Sequence, residues 1–545
     1  MIHLSKHKSL LYPPYAALRA AIQGDTPPWI REISLKAKKE LPGLREKSPK
    51  LDEDGRKLIL FWEMSPWEYT VIDCILATAL RLRGHETLMI TCDGLEFCEM
   101  EQVGASNKNC RSCAKNAQRY FRAFQLESKP ISEFIDEKAR LSALEHSRGP
   151  LSSLRSLVYK GISVGELAQV NVGYYNGLPA TLWDRQDHAL FQKACEAGVL
   201  FTEASSRIIE ETKPDVVVTA GGRSITWAPI FQLAESKGLI TVNWEDLSLH
   251  KNGFVFSHSQ PAINMALDDV WPTEKQNKLT EEQRKEVADF FLSWRNGKAT
   301  PYRYYDHPNE SPDAIKSELG LGRYGRVVSA FPNILREDNR IKGNAAFANQ
   351  IEWLRALIAL ARGDPGTAYV VRSHPAESRL PMDYILNRLD DMIREYEKSI
   401  PDNLILIPSE SEISSYKLAE LSDVLIVWTG TLGMEFALSG RRVLVVGDPG
   451  YRGKGFTTDV ADGVDMAGAI GLASEDKQLS KGEIDLAERY AYISRFRALM
   501  RFPYHVSHSD RRFVIPSFRE LAAGGNAELD KLCRCVIEDK PFLDL

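Results

Sequence analysis

Residues 423–448 read DVLIVWTGTLGMEFALSGRRVLVVGD, and this stretch decides the fold. Two short runs rich in valine, leucine and isoleucine flank a glycine-containing turn and a segment with helical spacing. The runs are apolar throughout rather than alternating, which is typical of strands that are covered on both faces. Strand, turn, helix and strand in this order predict one βαβ unit of a parallel sheet.

The same rhythm recurs along most of the chain. In the first half it predicts strands at 56–64, 86–93, 214–222 and 239–247, with helices near 66–83, 109–125, 188–212 and 224–237. In the second half it predicts strands at 326–331, 367–374, 403–408, 423–429 and 441–448, with helices near 346–363, 381–398, 415–421 and 432–439. We therefore expect an α/β protein with two Rossmann-like, doubly wound domains that face a cleft.

The composition shifts between these stretches set the expected domain boundaries. A helical segment at 1–50 precedes a first α/β domain at 51–275. A helix and linker at 276–322 lead to a second α/β domain at 323–480, and a helical extension follows at 481–545. Ligands of such sheets bind at the carboxyl ends of the strands, so the residues just after each strand are the candidates for function.

Composition narrows the class of protein. Of the 545 residues, 43% are hydrophobic and 26% are charged, as in folded proteins that dissolve in water. A net charge of −5 argues against a general nucleic-acid binder, which carries a dominant basic surface. The first residues lack the pattern of a signal peptide, and no apolar run is long enough to span a membrane. We therefore expect a cytoplasmic protein.

Three loops that follow strands of the second half carry groups suited to an anion. Glycines let backbone N–H groups approach a ligand, and a helix N-terminus favours negative charge. Alternatively, Thr431 caps a helix and the glycines only make tight turns. The loop at 447–460 does not match a Walker A sequence. The candidate donor-binding residues are Arg372, His374, Trp428, Thr429, Gly430, Thr431, Gly433, Glu435, Gly453, Lys454 and Gly455.

The ordered set RSHPAE (372–377) and WTGTLGMEFALSGRRVLVVGDPGYRGKGF (428–456) resembles the C-terminal half of bacterial capsule and surface-polysaccharide biosynthesis glycosyltransferases. VVSAFPNILREDNR (327–340), which contains Asn333, resembles the same group. The resemblance implies two Rossmann-like domains in the GT-B arrangement. In similar bacterial sialyl- and Kdo-transferases a His-Pro pair and a Ser/Thr-rich loop hold the phosphate of the donor.

Carried onto this sequence, the resemblance gives those roles to His374 and to the loop with Thr429 and Thr431, and it places Asn333 in the cleft. It implies a nucleotide sugar as the donor and a glycan or glycolipid as the acceptor. No DxD-type pair lies in a suitable loop, so we expect catalysis without a metal ion.

An inverting transferase also needs a base, a carboxylate or imidazole, that takes the proton of the acceptor hydroxyl. Glu245 ends a predicted strand beside Trp244, an aromatic residue that can stack on a sugar, and Glu63 follows another strand. The alternative for Glu245 is a salt-bridged loop carboxylate. Arg223 lies in a glycine turn after a strand and is a candidate phosphate contact in the cleft.

Four cysteines lie close together at Cys92, Cys98, Cys110 and Cys113. Four thiols that end in a C-x2-C pair fit a structural zinc site or an iron–sulfur cluster. The first spacing is irregular for a zinc ribbon, so free or partly buried thiols are the alternative.

Together these features predict a glycosyltransferase that moves a sugar from a nucleotide-activated donor to a polysaccharide or glycolipid. A polyol-phosphate transferase or a sugar-nucleotide epimerase shares the architecture, and a non-catalytic scaffold that binds nucleotide sugars is the third possibility. The basic, aromatic run at 492–513 is typical of a solvated helix face. It also suits a surface that attracts anionic headgroups, and hence peripheral association with the inner membrane or an assembly complex.

Overall fold

The computed structural model describes residues 27–64, 70–95, 107–246, 253–262, 267–296, 308, 311–338, 345–379, 387–397, 399–461, 463, 465–507 and 512–543. Within these ranges the chain forms one seven-stranded and one six-stranded sheet, together with a two-stranded ribbon. This confirms the expected class, an α/β protein with two Rossmann-like sheets.

The first sheet contains β1 (Leu58–Glu63), β2 (Glu86–Thr91), β3 (Ser128–Pro130), β4 (Val216–Ala220), β5 (Ile240–Glu245), β6 (Gly253–His258) and β13 (Met500–Arg501). Their order is β13-β6-β5-β4-β1-β2-β3. Strands β1 to β5 are parallel, and β6 and β13 add an antiparallel edge. The order reverses between β1 and β4, which makes the carboxyl ends of these two strands the topological switch point.

The second sheet contains β7 (Arg326–Phe331), β8 (Thr367–Arg372), β9 (Leu404–Ile407), β10 (Val424–Val427), β11 (Val443–Val445) and β12 (Thr458–Asp459). All its pairs are parallel, in the order β12-β11-β10-β7-β8-β9. Its switch point lies between β7 and β10. The ribbon pairs β14 (His505–Ser507) with β15 (Arg512–Phe513).

Helices cover both faces of the sheets. They are α1 (Pro28–Glu46), α2 (Thr70–Arg81), α3 (Asn107–Phe124), α4 (Glu137–Ser147), α5 (Leu151–Arg155), α6 (Val164–Asn176), α7 (Arg185–Thr212), α8 (Ala228–Ser236), α9 (Leu267–Glu274), α10 (Glu281–Arg295), α11 (Pro312–Glu318), α12 (Leu335–Asp338), α13 (Gln350–Gly363), α14 (Ala376–Arg379), α15 (Leu389–Tyr396), α16 (Ser415–Glu420), α17 (Leu432–Leu438), α18 (Met466–Glu475), α19 (Lys481–Tyr492) and α20 (Ala527–Glu538). Helix α19 continues into a π-helical turn at Ile493–Arg497. None of the helices in the described ranges is both long and apolar enough to cross a bilayer.

The segment after residue 480 belongs to both halves of the molecule. Helix α10 packs on α19, where Arg284 forms ion pairs with Asp485 and Glu488. Strand β13 then joins the first sheet, and α20 packs against the same half, where Lys57 Nζ donates to Ile537 O at 2.6 Å. This segment was expected to be helical, and it also supplies strands β13 to β15.

Helix α6 connects the carboxyl edges of the two sheets. Asn171 Oδ1 accepts a hydrogen bond from Ile225 N, just after β4, at 2.7 Å. One turn further along the helix, the guanidinium of Arg336, which follows β7, lies 4.2 Å from the ring centre of Tyr174. Asn387 Nδ2 also donates to Asn176 O at 2.6 Å. The two carboxyl edges therefore face each other.

Candidate functional site

The switch point of the second sheet brings Asn333 and the loop at 428–431 together, since they follow the paired strands β7 and β10. Thr429 N donates to Asn333 Oδ1 at 3.4 Å, and Asn333 N donates to Gln350 Oε1 at 2.7 Å. A Cβ atom on Gly430 would lie 3.3 Å from Asn333 Oδ1. The loop is therefore held against Asn333, with little room for a side chain at residue 430.

The two threonine hydroxyls of this loop have different surroundings. Thr431 Oγ1 donates to Glu435 Oε1 at 2.8 Å, and Tyr416 OH donates to Glu435 Oε2 at 2.6 Å. Burial raises the pKa of Glu435, against the lowering effect of these two hydrogen bonds. Thr429 Oγ1 is buried and has no hydrogen-bond partner within the described part of the chain. Thr431 and Glu435 thus satisfy each other, whereas the hydroxyl of Thr429 is uncommitted.

Gly430, Gly433 and Trp428 pack the loop against the rest of the protein. Tyr451 OH donates to Gly430 O at 2.6 Å, and a Cβ atom on Gly433 would lie 2.2 Å from that hydroxyl. Trp428 is 3% exposed and stacks on Trp353 at 5.9 Å. Gly433 therefore makes room for Tyr451, and Trp428 supports the loop from the core, although the sequence favoured both as ligand contacts.

Arg372 and His374 follow β8, the neighbour of β7. Arg372 is 1% exposed, and its guanidinium donates to Ser373 O and Pro408 O, at 2.8 and 2.7 Å, and to Ser411 O, at 2.9 Å. Arg372 therefore holds the loop that follows β9. The position of this arginine in the sequence does not reveal that role.

His374 lies half-buried beside this arginine. Its Nδ1 accepts from Ala376 N at 3.2 Å, so the neutral ring carries its proton on Nε2. Burial, and secondly the charge of Arg372, lower the pKa of His374 to about 4. At neutral pH the ring is therefore an uncharged N–H donor.

The third loop, at 447–460, is tied to the protein through its basic residues. Arg452 donates to Val445 O, Gly447 O and Val460 O at 3.1, 2.8 and 2.6 Å. Lys454 is 5% exposed and forms an ion pair with Asp268. Gly453 and Gly455 have φ values of +72° and +89°, which glycine adopts without strain. The sequence favoured Lys454, Gly453 and Gly455 as ligand contacts, whereas here they shape and anchor the loop.

The switch point of the first sheet contains a buried pair of carboxyl groups. Glu63, at the end of β1, accepts from Thr70 Oγ1 at 3.1 Å, and Trp244 Nε1 donates to Asp73 Oδ1 at 2.7 Å. Glu63 Oε1 and Asp73 Oδ2 are buried without another hydrogen-bond partner in the described structure, and a proton on Asp73 would let it donate to Glu63. Burial raises the pKa of Glu63, and burial together with the charge of Glu63 raises that of Asp73 much further. Burial therefore favours the protonated form of Asp73.

Sequence reasoning found Glu63 and missed Asp73. The available signal was one carboxylate in the otherwise apolar helix TVIDCILATAL (70–80). The reason for preferring Glu245 was wrong, because Trp244 is buried against Asp73 rather than placed to stack on a sugar. Glu245 ends β5, which is separated from β1 by β4, so it lies farther from the switch point than Glu63.

Arg223 lies in the turn after β4, on the other side of that switch point. Gly221 and Gly222 have φ values of +69° and +72°, and a Cβ atom on Gly222 would lie 2.5 Å from Asn243 Nδ2. The close approach to Asn243 explains one glycine of this turn. The side chain of Arg223 is half-buried, and its contact with a phosphate stays a prediction.

Part of the cysteine cluster lies outside the described residues. Cys92 follows β2 and Cys113 lies on α3, and both are half-buried. Cys98 and the side chain of Cys110 are not among the described atoms. Among the described residues no group of three or more histidine, cysteine or acidic side chains forms a metal site. The zinc or iron–sulfur site stays a prediction.

Residues 300–481 match the family described as capsule polysaccharide biosynthesis protein. This match bears out the resemblance for that part of the chain, which contains β7 to β12 and the loops described above. No curated protein sequence matches the chain.

Solved structures give weaker likenesses. KpsC of Thermosulfurimonas dismutans, as a beta Kdo 2,4 transferase, is 15% identical over 51% of this chain and 79% of its own, with a TM-score of 0.33. A second KpsC structure from the same organism, described as a beta Kdo 2,7 transferase, is 15% identical over 61% of this chain and 89% of its own. Its TM-score is 0.32. The kitacinnamycin glycotransferase is 11% identical over 81% and 96%, with a TM-score of 0.26.

Proposed function

We propose that the protein is a glycosyltransferase that moves a sugar from a nucleotide-activated donor to a polysaccharide or glycolipid in capsule biosynthesis. The observation that carries the proposal is the uncommitted, buried hydroxyl of Thr429 at a switch point inside the segment that matches the capsule family. In this proposal the enzyme works in the cytoplasm, with the nucleotide sugar as co-substrate and without a catalytic metal ion.

The donor would lie along the ends of three adjacent strands, β10, β7 and β8, which carry Thr429, Asn333 and His374. Three adjacent strands span about 10 Å. Uncharged donors that are fixed before the ligand arrives stabilise the charge that develops on a leaving phosphate. Arg372 would contribute to donor binding only indirectly. It holds the loop after β9, and this fixes the backbone between the end of β8 and His374.

The acceptor would lie on the facing edge of the first sheet, and Glu63 would take the proton of its hydroxyl. A base must be partly unprotonated at the working pH and close to the acceptor. The hydrogen bond from Asp73 keeps Glu63 the more acidic member of the pair, so Glu63 is the member that ionises first.

The donor is identified first, by thermal shift with CMP, CDP, UDP, GDP and dTDP, because a nucleotide that binds the folded state raises its melting temperature. Turnover of the matching sugar nucleotides is then measured with and without an acceptor glycan. A transferase needs the acceptor, whereas an epimerase converts the sugar nucleotide alone and a scaffold binds it without converting it.

His374→Ala tests the assignment of the donor site. We expect it to abolish transfer while the protein stays folded, with a loss of stability of about 1 kcal/mol for the hydrogen bond from Ala376 N. The control is His146→Ala, which removes an exposed histidine on α4 that hydrogen-bonds Ser142 O. Full activity in His374→Ala would contradict the proposal.

A further inference from the structure

The cations that the sequence offers for an anionic ligand at the second switch point are largely committed to the protein. Arg372 and Arg452 each donate to three backbone carbonyls, and Lys454 is paired with Asp268. His374 is neutral at pH 7. A cation that is not committed to the protein would add the positive charge that the uncharged donors of this site lack.

Arg495 is such a residue. It lies in the π-helical turn at Ile493–Arg497 and is 6% exposed. Its Nη1 is buried without a hydrogen-bond partner, and no hydrogen bond or ion pair of this side chain occurs in the described ranges. Arginine stays protonated even where burial lowers its pKa, as it does here, so the buried group carries a full charge.

The course of α19 brings Arg495 to the carboxyl edge of the second sheet. The helix begins beside the amino end of β11, where Leu479 N donates to Gly440 O at 2.8 Å and Arg442 pairs with Glu483 at 2.9 Å. It runs from there toward the opposite edge and ends in the π-helical turn, before the chain crosses to β13 in the first sheet.

At that edge Arg495 lies within electrostatic range of Glu435 and Tyr490. Glu435 already accepts from Thr431 and Tyr416. The guanidinium therefore lies near the loop at the switch point without being hydrogen-bonded to it.

A buried guanidinium without hydrogen bonds is unfavourable, and native proteins keep very few such groups without a ligand, ion or water. π-helical turns occur often at functional sites, because they displace one helical residue from the regular pattern. The planar fork of arginine matches the paired oxygens of phosphates and carboxylates. Three observations therefore point to a ligand at Arg495. Its side chain is buried, it makes no hydrogen bond in the described structure, and it lies at the carboxyl edge of the second sheet.

We propose that Arg495 is an oxyanion-binding residue, which binds a phosphate or carboxylate group of the ligand at the switch point of the second sheet. That this ligand is a nucleotide-activated sugar rests on the proposed function. The oxyanion is either the phosphate of the donor or a carboxylate of its sugar.

The test compares Arg495→Met with the matched control Arg497→Met. Arg497 lies two residues along the same turn and pairs with Glu274 at 2.6 Å. Melting temperatures and dissociation constants are measured with inorganic pyrophosphate, CMP and UDP, and separately with glucuronate and N-acetylneuraminate, which carry a carboxylate but no phosphate.

We expect Arg495→Met to keep or raise the melting temperature of the unliganded protein, since it removes a buried charge without a partner. The same variant should weaken binding of the recognised probe by about tenfold or more, because a hydrogen bond to a charged group is lost. Arg497→Met should lower the melting temperature and leave the affinity unchanged. A loss confined to the pyrophosphate and nucleotide arm assigns the phosphate, and a loss confined to the other arm assigns the carboxylate.

Two outcomes would overturn the proposal for Arg495. One is wild-type protein that binds none of the probes, and the other is Arg495→Met protein that binds them as tightly as the wild type. Failure of the proposed function gives a different result, namely no sugar transfer by the wild type from any nucleotide sugar, whatever the binding data show.

Discussion

Asp73→Leu tests the carboxyl pair at the first switch point, because leucine has nearly the same shape as aspartic acid and carries no proton to donate. In the proposed mechanism, protonated Asp73 donates a hydrogen bond that stabilises ionised Glu63. A hydrogen bond to a charged group is worth about 1.5–3 kcal/mol, and one pKa unit corresponds to about 1.4 kcal/mol. The variant should therefore raise the pKa of Glu63 by about 1–2 units.

The sign of the effect on activity follows from the role of Glu63. A base works only when it is unprotonated, so a higher pKa moves the acid limb of the profile of kcat/KM against pH upward by the same about 1–2 units. At a pH on the wild-type acid limb, the variant should be about 10–100-fold slower. The plateau at higher pH should be reached by both proteins.

Two further variants separate this effect from a loss of structure. Asp73→Asn can donate to Glu63 and still accept from Trp244. The acid limb of its pH profile should therefore lie within a few tenths of a pH unit of the wild-type limb. Trp244→Phe removes the hydrogen bond to Asp73 and should lower the free energy of unfolding by about 1–3 kcal/mol. It should move the acid limb of the pH profile less than Asp73→Leu does. A folded Asp73→Leu protein with the wild-type acid limb would refute the reasoning.

Four further results are expected. Gly433→Ala should lower the free energy of unfolding by about 1–3 kcal/mol, measured by urea denaturation, since its Cβ would lie 2.2 Å from Tyr451 OH; an unchanged midpoint would contradict this packing. Burial raises the pKa of Glu377 to about 8, so the folded state keeps a proton that the unfolded state releases, and stability falls as the pH rises from about 4.5 to 8. Glu377→Gln should remove that loss, which is on the order of 4 kcal/mol at pH 8 and little at pH 4; an effect of the same size at both pH values would show the carboxyl to be solvated. We propose that the cysteine cluster holds a zinc ion or an iron–sulfur cluster, which predicts zinc or iron in the purified protein by metal analysis and its loss in Cys113→Ser; purified protein with neither metal would contradict it. Transfer by the wild type should continue in EDTA with magnesium absent, whereas a requirement for added magnesium or manganese would show a catalytic metal.

The fold was predictable from the sequence because buried parallel strands are short apolar runs bounded by polar turns. Every strand expected from such a run is present, and most begin or end one to three residues inside the expected range. Strands β3, β12 and β13 are only two or three residues long, too short to show a pattern. Strand β6 lies at the antiparallel edge of the first sheet, and its pairing with β5 depends on contacts that a strand-and-helix rhythm does not reveal.

The sequence predicted which loops form the site but not which of their side chains are available to a ligand. Topology places residues that follow strands at one edge of a sheet, and this brought Asn333 and Thr429 together. Which polar groups stay available depends on partners far along the chain, such as Asp268 for Lys454 and Tyr416 for Glu435. The sequence therefore favoured cations that the fold uses elsewhere, and it gave no reason to single out Arg495.

The central claim, that the loop after β10 holds the donor, is tested most directly by calorimetry on two matched variants, Thr429→Val and Thr431→Val, with the nucleotide found by thermal shift. Thr429→Val loses no hydrogen bond in the described structure, so its stability should be unchanged or higher, while its affinity for the nucleotide falls by about tenfold. Thr431→Val loses its bond to Glu435 and should lose about 1 kcal/mol of stability, with a smaller change in affinity. A nucleotide that binds Thr429→Val as tightly as the wild type would contradict the account.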